Sequence, residues 1–432
     1  MSRVAIIGAG YVGLTTGACM AHLGHSVVCA DIDAKRVERL TKGEVPIMED
    51  GLPELVTEGL ESKRLRFVVG AAAAAKTAEF VFLCVPTPQG DDGSADLSFV
   101  EDVAREIAPV LRPGTVIVNK STMPVGSTRL VQRILGESGA TLDAIGVASN
   151  PEFLREGTSV RDFLHPNRVV IGCDDPKIAV RVSDLYKSLD APIVVTEPAS
   201  AEMIKYASNA FLATKISFVN AIANLCEAVD ADVREVALGM GYDNRIGFDF
   251  LHPGPGYGGS CFPKDTAALL HTADLAGYDF SLLRGVVEVN RAQHERMIEK
   301  TRRLAGGSLV GVPLGVWGLT FKANTDDLRD SPAVFVVRRL LEEGATVRGY
   351  DPSSDERTPL VAPGLEVVSD PYEAVAGARV LAVLTEWDEF RWLDFTRVRE
   401  VMASASVLDA RNLLDPSTMR RLGFNYEGVG RS

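Results

Sequence analysis

The sequence predicts an α/β protein in which two doubly wound parallel-sheet domains are joined by a long helical segment. Three observations predict it. The chain opens with a β run, a glycine turn, a helical stretch and a second β run (VAIIG to SVVCADID), which is a βαβ unit, and further alternation follows. Between Pro198 and Pro253 there is no proline, and the residues repeat at helical spacing. A third region, LGVWGLT to ATVRGYDP, echoes the opening unit. The length of 432 residues suits about three domains at roughly 150 residues each. A hydrophobic share of 46% and a charged share of 24% exclude disorder, collagen and coiled coil. With a net charge of −13, neither nucleic acid nor an anionic membrane is an expected partner.

In the first region, FVFLCVPTP, TVIVNKSTMP, IGVASNPEF and NRVVIG read as strands ending in polar or proline-bearing loops. Helical patterns at 99–111 and 126–135 separate them. Parallel strands need such crossovers and bury both faces, so one sheet covered by helices is expected over residues 1–198. Residues 199–305 read as helices interrupted by a glycine-rich loop, ending at Gly306 and Gly307. Residues 306–432 form the third region, where 331–341 is helical and Asp351 ends a strand. Its turn, WGLTFKANTD, lacks GxGxxG, so a second dinucleotide site is not expected there, although a nucleotide-like ligand is compatible. No apolar run is long enough for a secretion signal or a membrane span, and a cytoplasmic location is expected. The six cysteines are far apart without ligand spacing, so neither disulfides nor a metal site is expected.

Gly8, Gly10 and Gly13 form GAGYVG between a β run and a helix, the context of a Rossmann-type dinucleotide turn. Gly8 permits the tight turn, Gly10 the approach of a pyrophosphate, and Gly13 close packing of helix on strand. Asp31 ends the next β run, 18 positions past Gly13, where a carboxylate accepts hydrogen bonds from a ribose 2′-OH and repels a 2′-phosphate. NAD is therefore favoured over NADP, with Arg36 a mild contrary charge.

GPGYGGSCFPKD places glycines at 254, 256, 258 and 259 ahead of Cys261. A glycine hinge has no need of a terminal cysteine, whereas a thiol presented by bare backbone to a bulky ligand does. Lys264 is a cation that favours the thiolate, and Asp265 a carboxylate that positions water. Lys205 and Asn209 stand at i and i+4, on one helix face, and suit an oxyanion site; the plainer reading is a solvated lysine and a capping or core asparagine. Glu152 and Glu156 repeat that spacing after Pro151, a good first helical residue, and their plainer reading is dipole-stabilising first-turn glutamates. Thr122 suits donation to water or sugar, or simply packs. Lys322 and Arg411 follow β-like runs, where open α/β sheets bind ligands, and are candidate phosphate contacts. Arg329 either reaches a diphosphate or pairs with Asp326, Asp327 or Asp330. The scattered histidines offer no HExxH.

Together GAGYVGL, STMPVGST, NPEFLREG, EMIKYASNAFLATKISFVN, GPGYGGSCFPKD, GLTFKANTDDLRDSP and DARN closely resemble, in order and over nearly the whole chain, the UDP-glucose 6-dehydrogenase family. The resemblance implies an N-terminal NAD-binding Rossmann domain, a helical segment that forms a homodimer, and a Rossmann-like domain binding the UDP-sugar. It implies oxidation of the sugar C6 alcohol to a carboxylate with two NAD+, through a thiohemiacetal and a thioester on Cys261, in nucleotide-sugar metabolism feeding polysaccharide synthesis. By the same resemblance Lys205 and Asn209 stabilise oxyanions, while Asp265, Thr122, Glu152 and Glu156 handle proton and water. Gly8, Gly10, Tyr11, Val12, Gly13, Asp31, Arg36, Thr87, Thr122, Glu156, Lys264 and Arg329 are implied cofactor contacts. Glu152, Phe153, Leu154, Lys205, Asn209, Phe250, Tyr257, Gly258, Cys261, Lys322 and Arg411 are implied UDP-glucose contacts, with Arg245 reaching substrate across the dimer. The sequence departs from many members at Tyr257 (Phe) and Ala323 (Pro in bacteria), removing no reactive group.

The chemistry fits these residue types. An aldehyde carbon must become tetrahedral before it can lose a second hydride, and a thiolate makes it so. The alternatives are a GDP-mannose or other nucleotide-sugar dehydrogenase, or a non-catalytic NAD-responsive dimer, which would have no use for Cys261, Lys205, Asn209 and Asp265 together.

Overall fold

Runs such as RVAII, FVFL and VIVN are apolar at nearly every position, which suits strands covered on both faces. The computed structural model describes residues 1–355 and 357–431. It separates into two compact units, Met1–Ser208 with Ala267–Tyr278, and Asn209–Thr266 with Asp279–Ser432.

The first unit holds β1 (Arg3–Ile7), β2 (Ser26–Asp31), β3 (Leu65–Val69), β4 (Phe80–Leu83), β5 (Val116–Asn119), β6 (Gly146–Ser149), β7 (Val169–Gly172) and β8 (Ile193–Thr196). Their order is β3-β2-β1-β4-β5-β6-β7-β8. Every pairing is parallel except the single Ser149–Gly172 pairing of β6 with β7, which is antiparallel. Successive residues feed opposite cores. Ile6 packs with Leu14, Cys29 and Phe82, whereas Ile7 packs with Val81, Leu83 and Ile117. The order reverses direction between β1 and β4, which opens the crevice where such sheets bind ligands.

In the second unit are β9 (Pro313–Trp317), β10 (Thr346–Tyr350), β11 (Glu366–Val367), β12 (Val380–Val383), β13 (Ser406–Asp409) and β14 (Asn425–Glu427), in the order β11-β10-β9-β12-β13-β14, all parallel. The helix Pro332–Glu342 opens on Ser331, whose hydroxyl accepts from Val334 N–H. Asp351 follows β10, as expected, and its carboxylate is fully used: it accepts from Leu319 N–H, Thr320 N–H, Trp387 Nε1 and Ser353. This sheet therefore has no spare carboxylate where Asp31 stands in the first.

The 31-residue helix Pro198–Ala228 links the two sheet domains, and the helix Ser281–Leu304 runs 24 residues. Within the second unit the two helices are joined by Ser217 Oγ to Val286 O at 2.9 Å and Asn224 Nδ2 to Gln293 Oε1 at 3.0 Å. Among the described residues no helix is long and apolar enough to cross a membrane. Five cysteines are buried and Cys261 is partly exposed, all as free thiols.

Candidate active site

The glycine turn after β1 is shaped by close packing. A Cβ on Gly13 would sit 1.8 Å from Gly8 O, while one on Gly10 would meet nothing within 4 Å. The helix Tyr11–His22 starts at Gly10 with no side-chain cap, leaving its backbone N–H groups and positive end open to an anion. Asp31 Oδ2 accepts from Ala9 N–H at 2.9 Å and Oδ1 from Asp33 N–H at 2.9 Å. Oδ2 also accepts from Arg36 Nη1 at 3.3 Å, so Oδ1 is the oxygen that keeps a lone pair for a ribose hydroxyl. Arg36 lies 3.3 Å from Asp31, so its charge is spent there. These residues fit a dinucleotide with a free 2′-OH.

At the ends of β5 and β6, Thr122, Ser121, Ser149, Pro151, Glu202 and Lys205 line one small polar cavity. Lys205 Nζ donates to Glu152 Oε1 at 2.8 Å, with both side chains buried. Burial pushes the Glu152 carboxyl up, but the Lys205 ammonium, the Leu154 N–H and Lys120 more than offset it, so it lies below the usual carboxylate range. The same burial pulls Lys120 down to about 8, with Glu152 working in the opposite direction. The expected helix start at Pro151 is not found. Residues 151–158 form a loop, because Glu152 is drawn in by Lys205 and by its own Oε2 on Leu154 N–H at 2.6 Å. Glu156 lies in that loop. The Phe153 ring lies 3.5 Å from the Arg168 guanidinium and 5.4 Å from Lys205 Nζ. Thr87 spends its hydroxyl on Thr122 O at 2.9 Å, and Val12 packs on the core.

The second unit holds Cys261. Its loop is forced to be glycine by its neighbours: a Cβ on Gly256 would lie 2.5 Å from His294 Nε2, and one on Gly258 2.0 Å from Asp330 O. Buried side chains of the two long helices take up the loop's backbone groups. Asn220 Oδ1 accepts from Gly254 N–H at 2.8 Å, and Gln293 Nε2 donates to Gly254 O at 2.8 Å. Asn290 pairs doubly with Tyr257, accepting its N–H at 2.7 Å and donating to its carbonyl at 3.1 Å. Cys261 then sits just before the helix Phe262–Leu275, its carbonyl accepting from Asp265 N–H at 2.9 Å. A negative sulfur there is favoured by the helix's positive end. Asp265, buried, accepts from Asn209 Nδ2 at 2.6 Å and from Lys264 Nζ at 2.6 Å. The charge of Lys264, expected to favour the thiolate, is directed at Asp265.

Phe250 takes positive φ and its ring lies 6.3 Å from Phe262, whose other neighbour is Tyr257 at 6.0 Å, edge to face. Arg411 donates to Leu384 O and Phe321 O and pairs with Glu386 at 3.0 Å, beside Gly254. Lys322 Nζ lies 5.5 Å from the Phe321 ring. The Cys261 loop and the candidate phosphate contacts thus share one unit. Arg329 is forked onto Asp327, the plainer of its two readings, and Arg245 onto Asp243, with its side chain 89% exposed. Sequence reasoning missed Asn220, Asn290, Gln293 and Glu202. Glu202 holds Gly126 N–H, Thr128 N–H and the Thr128 hydroxyl, tying the Thr122 loop to the helix of Lys205. The only signal was a polar residue amid apolar helical spacing.

Comparisons with known proteins agree with this geometry. Models of the UDP-glucose/GDP-mannose dehydrogenase family match in order: the NAD binding domain over residues 2–190, the central domain over 199–292 and the UDP binding domain over 315–416. The chain is 47% identical to a UDP-glucose 6-dehydrogenase of Rhizobium meliloti, covering 99% of each chain. Its structure is similar to that of a UDP-glucose dehydrogenase from the hyperthermophilic archaeon Pyrobaculum islandicum, at 38% identity and TM-score 0.92, covering 100% of this chain and 98% of that one. It is also similar to a UDP-D-ManNAc dehydrogenase from Pyrococcus horikoshii, at 27% identity and TM-score 0.88, covering 99% of each.

His294, pressed on Gly256 and 5.0 Å from the Phe335 ring, has its pKa lowered from 6.5 to about 4, chiefly by burial and also by Arg411. The folded protein therefore favours the neutral ring. Its contribution to stability is complete above pH 6.5 and is lost as the pH falls towards 4. Urea midpoints at pH 7.5 and pH 5 are expected to differ less in His294→Asn than in the wild type; an equal difference would remove His294 as the cause.

Proposed function

The chain belongs to the UDP-glucose/GDP-mannose dehydrogenase family and is an NAD-dependent enzyme, and on that footing we propose that it oxidises the C6 alcohol of UDP-glucose to the carboxylate of UDP-glucuronate through a thioester on Cys261. The observation that carries the proposal is the placement of Cys261. It is the one cysteine not buried among the described residues, it precedes a helix, and it follows a loop fixed by Asn220, Asn290 and Gln293. In this reading residues 1–198 bind NAD, 199–305 form the dimer contact and 306–432 bind the UDP-sugar.

Bound NAD+ supplies the hydride acceptor, held by the turn at Gly8, Gly10 and Gly13 and by Asp31. The C6 alcohol first gives up its hydroxyl proton to a base and a hydride to a first NAD+, leaving the aldehyde. The Cys261 thiolate adds to that carbon, forming a C–S bond and a tetrahedral alkoxide that takes up a proton as the thiohemiacetal, whose own hydride would go to a second NAD+. Once that carbon has lost its hydride and the hydroxyl its proton, a thioester remains. Water then adds, the C–S bond breaks, and the sulfur leaves as thiolate while the carboxylate is released. Preorganised donors on the C6 oxygen, the roles proposed for Lys205 and Asn209, each contribute several kcal/mol in a dry site. Asp265 is proposed to hold the proton and the attacking water, and Thr122, Glu152 and Glu156 to serve the same traffic. Lys322 and Arg411 are proposed to bind the diphosphate, with Phe250, Tyr257 and Gly258 shaping the sugar pocket.

Cys261→Ala is expected to lower UDP-glucuronate formation by roughly a thousandfold or more while UDP-glucose still binds in calorimetry. Near wild-type turnover with two NADH per product would overturn the covalent route. Turnover of GDP-mannose in preference to UDP-glucose would overturn the substrate assignment.

The reading includes a homodimer. On the long helix Phe211, Phe218 and Leu225, seven residues apart, are 66%, 48% and 57% exposed and leave an apolar stripe uncovered. Light scattering is expected to give a dimer, and Phe218→Glu a monomer near the chain mass of 46.4 kDa. A wild-type monomer at all concentrations would contradict it.

A further inference from the structure

The segment 44–50 has no role in the reading above, yet it carries the buried carboxylate of Glu49, 5% exposed. Three groups from distant parts of the first unit converge on it. The Tyr11 hydroxyl donates to Oε2, Gly157 N–H donates to Oε2 at 2.7 Å, and Ser159 N–H donates to Oε1 at 2.7 Å. No lysine or arginine pairs with it among the described residues, so the carboxylate is held by hydrogen bonds alone. Removing any donor leaves a buried acceptor under-satisfied.

The positions of these donors matter. Tyr11 is the first residue of the helix that opens at Gly10, so its backbone lies at the dinucleotide turn while its side chain points away to Glu49. Gly157 stands in the loop that carries Glu152 and Glu156, at φ +80°, and Ser159 starts the helix Ser159–Leu164, which has no side-chain cap of its own. Two more contacts run along the same line: the Tyr11 hydroxyl lies 3.0 Å from Arg155 O, and Thr15 Oγ1 lies 3.1 Å from Ser159 Oγ. Burial, followed by the adjacent Glu49, raises the Tyr11 pKa far above the ordinary phenol value, so the hydroxyl remains a donor.

We propose that Glu49 is a positioning residue that couples the dinucleotide turn to the loop bearing Glu152 and Glu156, so that cofactor binding orders that loop. The inference rests on the cofactor site of the reading above. Coupling of this kind is reciprocal: whatever NAD+ adds to the order of the loop, the ordered loop adds to the affinity for NAD+. Glu49 acts through Tyr11 and the loop amides.

The test uses the full chain with NAD+ as the only ligand, in three forms: wild type, Glu49→Gln and Tyr11→Phe. The glutamine sets its NH2 against one of the two backbone N–H donors, and the phenylalanine removes a single hydroxyl with little change of shape. Calorimetry reads the NAD+ affinity, and amide hydrogen exchange reads peptides covering residues 153–160. In the wild type NAD+ is expected to slow exchange in those peptides; in both variants the slowing is lost and the affinity falls by about fivefold or more. Tyr11→Phe leaves both loop amides their acceptor, and it decides the matter alone where Glu49→Gln does not fold. The proposal is overturned if NAD+ slows exchange over 153–160 in Tyr11→Phe as it does in the wild type, whatever the affinity. A wild type that binds no NAD+ overturns the cofactor reading itself, and the coupling with it.

Discussion

The structure depends on how the buried backbone of residues 254–259 is satisfied. Neighbouring atoms come too close for side chains at Gly256 and Gly258, so much of the loop's contact is made by its peptide groups. Those groups are buried, and each unpaired one would cost about 1–3 kcal/mol. Asn220 from the long helix, and Asn290 and Gln293 from Ser281–Leu304, pair with Gly254 and Tyr257 and hold the chain in one conformation. Cys261 therefore starts its helix from a fixed point, and Asp265 one turn on is held between Asn209 and Lys264. Cys261, the proposed nucleophile, is thus positioned by amide side chains of the two long helices.

The two sheets use the same topological position in opposite ways. Asp31 ends β2 and accepts one backbone N–H on each oxygen, with Arg36 also on Oδ2, so Oδ1 keeps capacity for a ribose. Asp351 follows β10, the corresponding strand, but Trp387, Thr320, Leu319 and Ser353 take up its carboxylate. Similar architecture thus supports one dinucleotide crevice and one site of another kind, and the difference lies in side-chain hydrogen bonds rather than in strand order.

What was legible in the sequence is what local chemistry dictates. The βαβ start, the glycine turn with Asp31, the proline-free helix, the echo at Asp351 and the Cys261 loop all follow from residues close together in the chain. The strands β3 and β8 escaped notice. β3 alternates buried and exposed positions, and β8 is an edge strand whose Ile193, Val194 and Val195 are exposed, so neither reads as a buried parallel strand. Pro151 resembled a helix start, but Lys205, far away in sequence, draws Glu152 into a loop. Asn290, Gln293 and Glu202 went unremarked because only tertiary packing buries them. Arg329 illustrates the reverse case, in which a neighbouring aspartate, Asp327, takes the charge that sequence position offered to a ligand.

The central claim is that the loop presents Cys261 as a covalent carrier of the C6 carbon. Its most direct test is mass spectrometry of Cys261→Ser after incubation with UDP-glucose and NAD+. A hydroxyl can add to the aldehyde, but the resulting ester is a poorer acyl donor to water than a thioester, so the acyl-enzyme should accumulate. The account predicts a UDP-glucuronyl mass added to the peptide containing residue 261. Steady formation of UDP-glucuronate by this variant with no adduct on that peptide would contradict it.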